Sequence, residues 1–198
     1  EIALAASRDG KYILATVANG DGGDFAQYLL GPDETWKQIT QFSDQIKLAR
    51  LGRDNALYLL SRADAPRGKV LRLPLDVPEL KNAAEIIASG EAVIEQIVPS
   101  TDALYVGDLL GGPSQIRRFD LNGKNETTIS TPQISAVQEL LALEDGSLLF
   151  RDVSYTDPAA WFHCLNGKTE PVKTALRSTS PVSFADIEVR REFATSKD

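Results

Sequence analysis

A polar turn followed by an apolar, strand-forming run recurs four times along this chain. Its anchors are Asp9 in SRDGKYILATV, Asp54 in GRDNALYLLSR, Asp102 in STDALYVGDLL and Asp145 in LEDGSLLFRDV, at intervals of 45, 48 and 43 residues. Asp-Gly and Asp-Asn reverse a chain because glycine and asparagine tolerate positive φ, and the β-branched and aromatic residues that follow favour an extended strand. Intervals of this size are those of propeller blades. The unit from Asp102 has no glycine at the turn and must reverse by another route.

The rest of each unit repeats as well. A short apolar segment precedes each anchor: Ile2 to Ala5, Ile46 to Ala49, Val93 to Val98 and Val137 to Ala142. A loop rich in Gly, Pro or Asp follows the anchored strand, and a third strand comes next: FAQYLL at 25–30, KVLRLPL at 69–75, SQIRRFDL at 114–121 and AWFHCL at 160–165. Fourth strands are expected over Trp36 to Thr40, Ala84 to Ala88, Glu126 to Ile129 and Glu170 to Thr174. LNGK stands at 121–124 and again at 165–168, at the same place in its unit. DVPELKNAAEIIASG at 76–90 can hold a helical turn at its start, and 76–83 reads as a loop insertion before the fourth strand.

The fold class these features predict is all-β: about four four-stranded antiparallel propeller blades. A lone twisted sheet has two faces to cover, and adjacent blades cover them for each other. An antiparallel sandwich shares the short strands and polar turns, but it need not restart every 45 residues or so. Leu57, Leu59, Leu104, Val106, Leu148 and Phe150 lie in the strand after an anchor and are expected to be buried.

Charge and composition narrow the function. The formal charge is −7 and acidic residues are spread throughout, without the basic stripe that a nucleic-acid binder needs. No apolar run approaches a membrane span. Cys164 is the single cysteine, so no internal disulfide forms, and both cytoplasm and periplasm are compatible. His163 is the single histidine. It neighbours Cys164 in a strand, where adjacent side chains point to opposite faces, so the two are poorly placed to share a metal. His163 reads as structural, and no metal or cofactor is expected. NGDGGD at 19–24 lacks the EF-hand spacing and its closing Glu, and reads as a loop. GGPSQ at 111–115 lacks the lysine of a phosphate-binding loop and reads as a β-turn. No H-E-x-x-H and no G-x-S-x-G is present. Asp152 and Ser154 are close along one strand, which does not make a triad. A metal-dependent propeller hydrolase would need acidic or amide ligands converging on the axis.

Three further stretches carry a resemblance. SRADAPRGKVLRLPL at 61–75 contains Ala65-Pro66-Arg67 before an apolar strand. FRDVSYTDPAAWFHCL at 150–165 contains Ser154, Tyr155, Pro158 and an aromatic pair. DIEVRREFATSKD at 186–198 contains Asp186, Phe193 and Ser196-Lys197-Asp198. In these the chain resembles the C-terminal part of the propeller of a prolyl oligopeptidase-type serine peptidase, over essentially its whole length. The resemblance implies a partial propeller at 1–181 from a seven-bladed parent. It also implies a linker or strand at 182–198 leading into an α/β-hydrolase domain that lies beyond this sequence and holds a Ser-Asp-His triad.

The role so implied is a non-catalytic gating and substrate-selecting portion of a serine endopeptidase acting on short proline-containing peptides. No catalytic residue is expected within the chain. Arg62, Asp64 and Arg67 sit in one inter-strand loop and are the substrate-contact candidates. Tyr155 and Trp161 are expected to pack between blades. Expected partners are the hydrolase domain and short peptides, and the isolated segment is expected to self-associate through its uncovered lateral faces. The alternative is a stand-alone propeller that binds or scaffolds.

Overall fold

The computed structural model of the chain describes residues 1–184 and 186–196. Sixteen strands form four antiparallel four-stranded sheets, each built from consecutive strands. Blade 1 comprises β1 (Ile2–Ala6), β2 (Ile13–Ala18), β3 (Phe25–Leu30) and β4 (Trp36–Thr40). Blade 2 comprises β5 (Ile46–Leu51), β6 (Ala56–Ser61), β7 (Lys69–Pro74) and β8 (Ala84–Ile87). Blade 3 comprises β9 (Val93–Pro99), β10 (Leu104–Leu109), β11 (Ser114–Phe119) and β12 (Thr127–Ile129). Blade 4 comprises β13 (Ser135–Ala142), β14 (Leu148–Ser154), β15 (Ala160–Cys164) and β16 (Val172–Arg177). The expected all-β architecture of four four-stranded blades is the observed one.

The anchors turn as their chemistry requires. Gly10, Asn55 and Gly146 take positive φ of 72°, 54° and 83°. In the glycine-free unit the reversal is closed by a hydrogen bond from the Ser100 amide to the Ala103 carbonyl at 2.7 Å. Two short 3-10 turns interrupt the strands, at Phe42–Asp44 and Leu80–Asn82. The second lies in the first half of the 76–90 segment, where a helical turn is expected. Pro78 limits the backbone early in this loop, and the turn closes only afterwards, through the Ala83 amide and the Leu80 carbonyl at 3.0 Å.

The core is divided among three blade junctions. Leu14, Leu29 and Ile39 of blade 1 pack against Ile46, Leu57, Leu59 and Leu73 of blade 2. Tyr58, Leu60 and Val70 of blade 2 meet Ile94, Ile97, Leu104 and Val106 of blade 3. Tyr105, Ile116 and Ile129 of blade 3 meet Val137, Leu140, Leu148 and Phe150 of blade 4. Alternate residues of β6 and of β10 therefore face opposite neighbours, as the pleat dictates. Every residue of β6 is buried, because it is sandwiched on both sides. The six residues expected to be buried all are.

The strand order creates two ends. The β1–β2 and β3–β4 connections, and their counterparts, lie at one, the turn end. The β2–β3 connections and the blade-to-blade crossings lie at the other, where the chain also leaves β16: the exit end. The described residues beyond β16 form bends and a turn, without a strand. Lys197 and Asp198, which complete the third resembling stretch, lie outside the described residues, as does Ala185.

Candidate functional site

The β6–β7 loop at the exit end carries all three substrate-contact candidates. Arg62 is held in place. Its guanidinium donates to the Pro66 carbonyl at 2.6 Å and to the Ile94 carbonyl at 2.9 Å, across the junction into blade 3. The Ile94 amide donates in return to the Arg67 carbonyl at 2.8 Å. The loop is thus stitched to β9 from both sides. Asp64 takes a φ of 53° and Arg67 follows Pro66, and both side chains are exposed. A rigid loop that shows one acid and one base to solvent can orient a peptide's termini or charged side chains.

Other features gather at this end. Lys47 of blade 2 reaches the NGDGGD loop of blade 1, donating to the Gly23 carbonyl at 2.6 Å and to Asp24 at 3.1 Å. Asp24, which a calcium site in this loop would need, is thereby occupied. A cleft of about 520 Å³ lies between Gly111–Pro113, Ser135, Val153 and the tail segment Val189–Glu192. Tyr155 stands at its edge, 86% exposed. The expected inter-blade role of Tyr155 is not what the structure shows, because it falls just beyond the end of β14, where no sheet covers it. Trp161 pairs with Arg151 on the lateral face of blade 4 that no described blade covers.

Buried carboxylates mark blades 3 and 4 near the same end. Asp108 is fully buried and forms a two-pronged pair with Arg117, at 2.5 and 3.0 Å. Burial raises its pKa, and the guanidinium acts against that rise. Asp152 has no such partner. It accepts a hydrogen bond from the Ser135 hydroxyl at 2.8 Å, and burial pushes its pKa up to about 6. It lines a small cavity of about 250 Å³ with Pro132, Asp157, Phe162 and Lys173.

Nothing among the described residues forms a triad. The Ser154 hydroxyl accepts from the Asp157 amide at 2.9 Å, away from Asp152. The nearest approach to a triad is Asp145, Ser147 and His163, and its order is wrong. The buried Ser147 hydroxyl donates to Asp145 at 2.6 Å, so at 2.9 Å the Nε2 of His163 must donate to the serine oxygen. The imidazole holds the serine rather than deprotonating it. Cys164 points to the opposite face, into the core between blades 3 and 4. No group of three metal-binding side chains is found among the described residues.

Comparison with known proteins identifies this architecture. The family model described as "Prolyl oligopeptidase, N-terminal beta-propeller domain" matches residues 2–175. The chain belongs to that family. Among solved structures, one from a study of two prolyl endopeptidases superposes with a TM-score of 0.80 at 20% identity, covering 92% of this chain and 27% of that one. Oligopeptidase B from Leishmania major gives 0.81 at 16% identity, covering 100% and 30%. Prolyl oligopeptidase B from Galerina marginata gives 0.75 at 11% identity, covering 92% and 27%. This chain spans under a third of the length of these solved chains, and at such identities the likeness is one of fold. No curated protein sequence matches. Among the described residues, no helix is long and apolar enough to cross a membrane.

In this prolyl oligopeptidase propeller, the residues missed by sequence reasoning are those that join blades at the turn end. Asp54 takes two donors from Arg72, at 3.0 and 2.6 Å, and one from the Tyr58 hydroxyl at 2.9 Å. That hydroxyl also lies 3.3 Å from the Leu121 carbonyl in the following blade. Burial raises the Tyr58 pKa. One blade later Tyr105 donates to the Gly146 carbonyl at 2.9 Å, while Asp102 and Arg118 clamp the Asn166 side chain at 3.1 and 3.4 Å. Tyr58 pairs across the sheet with Arg72, Tyr105 with Arg118, and Leu149 with His163. The lone histidine thus occupies the position of an arginine in the two preceding blades. The available signal was the tyrosine three or four residues after an anchor, in DGKY, DNALY and DALY.

Proposed function

We propose that this chain is the non-catalytic, gating and substrate-selecting propeller portion of a prolyl oligopeptidase-like serine endopeptidase that acts on short proline-containing peptides. The observation that carries this reading is the family match over residues 2–175. The geometry supports it, since the β6–β7 loop and the chain's departure from β16 share the exit end. An α/β-hydrolase domain joined after β16 would sit over that end and face Asp64 and Arg67. A cavity enclosed between two domains excludes folded proteins and bulk water. The parent is a seven-bladed propeller in which this chain forms the last four blades.

The test uses the full-length protein that carries this chain, with short proline-containing peptides as substrates. Asp64→Ala and Arg67→Ala are expected to raise KM several-fold and to leave kcat nearly unchanged, because they remove binding that ground state and transition state share. The 198-residue chain alone is expected to give no turnover above a buffer blank. Turnover by the chain alone, abolished by one serine substitution within it, would overturn the reading. Unchanged KM in the double variant would remove the loop from the substrate path.

A further inference from the structure

The three blade junctions are not finished alike at the turn end. At the second, the turn after β11 sits on blade 2, with the Leu121 carbonyl near the Tyr58 hydroxyl and Gly123 against Ile86. At the third, the turns of blade 4 sit on blade 3, where the Gly146 carbonyl meets Tyr105 and the Asn166 carboxamide is clamped by Asp102 and Arg118. In both cases a tyrosine on one blade receives a turn from the next, and at the third junction Asp102 receives it as well.

Blade 1 carries the same pair, Asp9 and Tyr12. Tyr12 packs beside the core shared with blade 2, as Tyr58 and Tyr105 do at their own junctions. Among the described residues no hydrogen bond from a turn of blade 2 reaches this pair, although Leu75 packs beside Tyr12 in the shared core. The β7–β8 connection, residues 75–83, is two residues longer than its counterparts at 120–126 and 165–171. It contributes Leu75, Leu80 and Ala83 to the core shared with blade 1, and the Asn55 side chain holds Asp76 at 2.8 Å. A cleft of about 590 Å³ is left open, lined by Asp9, Lys11, Tyr12, Arg53, Asn55 and Asp76 among others. That volume lies within the roughly 300–1,000 Å³ typical of ligand sites. The Tyr12 hydroxyl has no hydrogen-bond partner among the described residues, whereas Tyr58 and Tyr105 each use theirs.

We propose that this cleft is a docking slot for a peptide β-turn bearing a side-chain carboxamide, the external counterpart of the Asn166 turn. The Asp9 Oδ1 accepts from the Ser7 hydroxyl at 2.7 Å and the Lys11 amide at 3.2 Å, which leaves Oδ2, beside the Lys11 ammonium, to accept from an amide NH2 as Asp102 does from Asn166. Lys11, 3.1 Å from Asp9, takes the donor's place next to it, where Arg118 stands beside Asp102. Tyr12 supplies the hydroxyl for a turn carbonyl. The chain shows the chemistry of the guest at its own third junction.

The slot lies at the end opposite Asp64 and Arg67, so its test is independent of peptidase activity. A cyclic peptide presenting Leu-Asn-Gly-Lys as a turn is titrated into the isotopically labelled chain, and amide shifts are followed by NMR. Shifts are expected at Gly10, Lys11, Tyr12 and Asn55. Tyr12→Phe, which keeps the ring, is expected to weaken binding about fivefold, as is Asn→Ala in the peptide, since each removes about one hydrogen bond. The assignment is overturned if no saturable shifts appear, if they map elsewhere, or if both changes leave the affinity as it was.

Discussion

Asp152 and Asp108 show how the same residue type in comparable strands acquires different chemistry. Asp108 is matched by a guanidinium, so its charge is compensated where it is buried. Asp152 has a hydroxyl instead, and its pKa rises to about 6 because burial penalises the carboxylate. An aspartate whose folded pKa lies above its unfolded value near 4 binds more protons in the native state between those two values. Its contribution to stability is therefore present below about pH 4 and is lost as pH rises through about 6. Asp152→Asn keeps an acceptor for Ser135 and removes the titration. Urea unfolding at pH 4, 5, 6 and 7 should show that the wild-type chain loses more stability across this window than the variant does. Equal slopes would reject the assignment. None of this was legible in the sequence, where Asp152 drew notice only for its nearness to Ser154. Which oxygen a buried carboxylate finds depends on β13, seventeen residues upstream, and on the register that brings Ser135 beside it.

At the scale of the element, the strands were largely legible and their junctions were not. Alternation and turn chemistry locate β3 and β4 without error and the others to within a few residues, because local propensity and blade packing agree. LNGK was read as one motif in one place, but the structure shifts it by a residue. The turn runs from Asp120 to Gly123 in blade 3 and from Leu165 to Lys168 in blade 4. In blade 3 the Asp120 carboxylate accepts from the Asn122 and Lys124 amides, both at 2.9 Å, and pulls the turn one residue earlier. The preceding residue in blade 4, Cys164, is a buried thiol that donates to the Lys168 carbonyl instead. The two glycines consequently do different work. Gly123 has a φ of 74° and an added Cβ would collide with the Ile86 backbone, whereas at Gly167, φ 71°, the space is open. Gly167→Ala should cost about 1 kcal/mol, the left-handed backbone penalty alone. Gly123→Ala should cost roughly 3 kcal/mol or more, because blade 2 must also give way. Denaturant midpoints of the two variants compare them directly, and equal losses would show that the turn does not bear on blade 2.

For the whole molecule, stability resides at interfaces between sheets, so a blade contributes fully only when both its faces are covered. Blades 2 and 3 meet that condition. Blade 1 leaves Ile2, Leu4 and Trp36 exposed at 65%, 67% and 50%, and blade 4 leaves Leu141 and Val172 at 46% and 71%. Ile2, Leu4, Ile13, Val17, Leu30 and Trp36 share one face through the registers of β1 to β4. Leu141, Leu149, His163 and Val172 share one through β13 to β16. Contiguous apolar surface of this kind drives association unless neighbouring blades cover it. In a seven-bladed parent those neighbours come from the same polypeptide. In the 198-residue chain alone a second copy is expected to supply them, since blades shaped for a seven-membered ring would not close into a tighter one. Sedimentation equilibrium of this chain should give a mass that rises with concentration. Leu4→Glu should move the distribution toward monomer, since it places a charge on the exposed blade 1 face, while Leu14, which faces blade 2, remains in the core. A single monomeric species at every concentration, with no binding of a dye that reports apolar surface, would mean that both faces are satisfied by the chain itself.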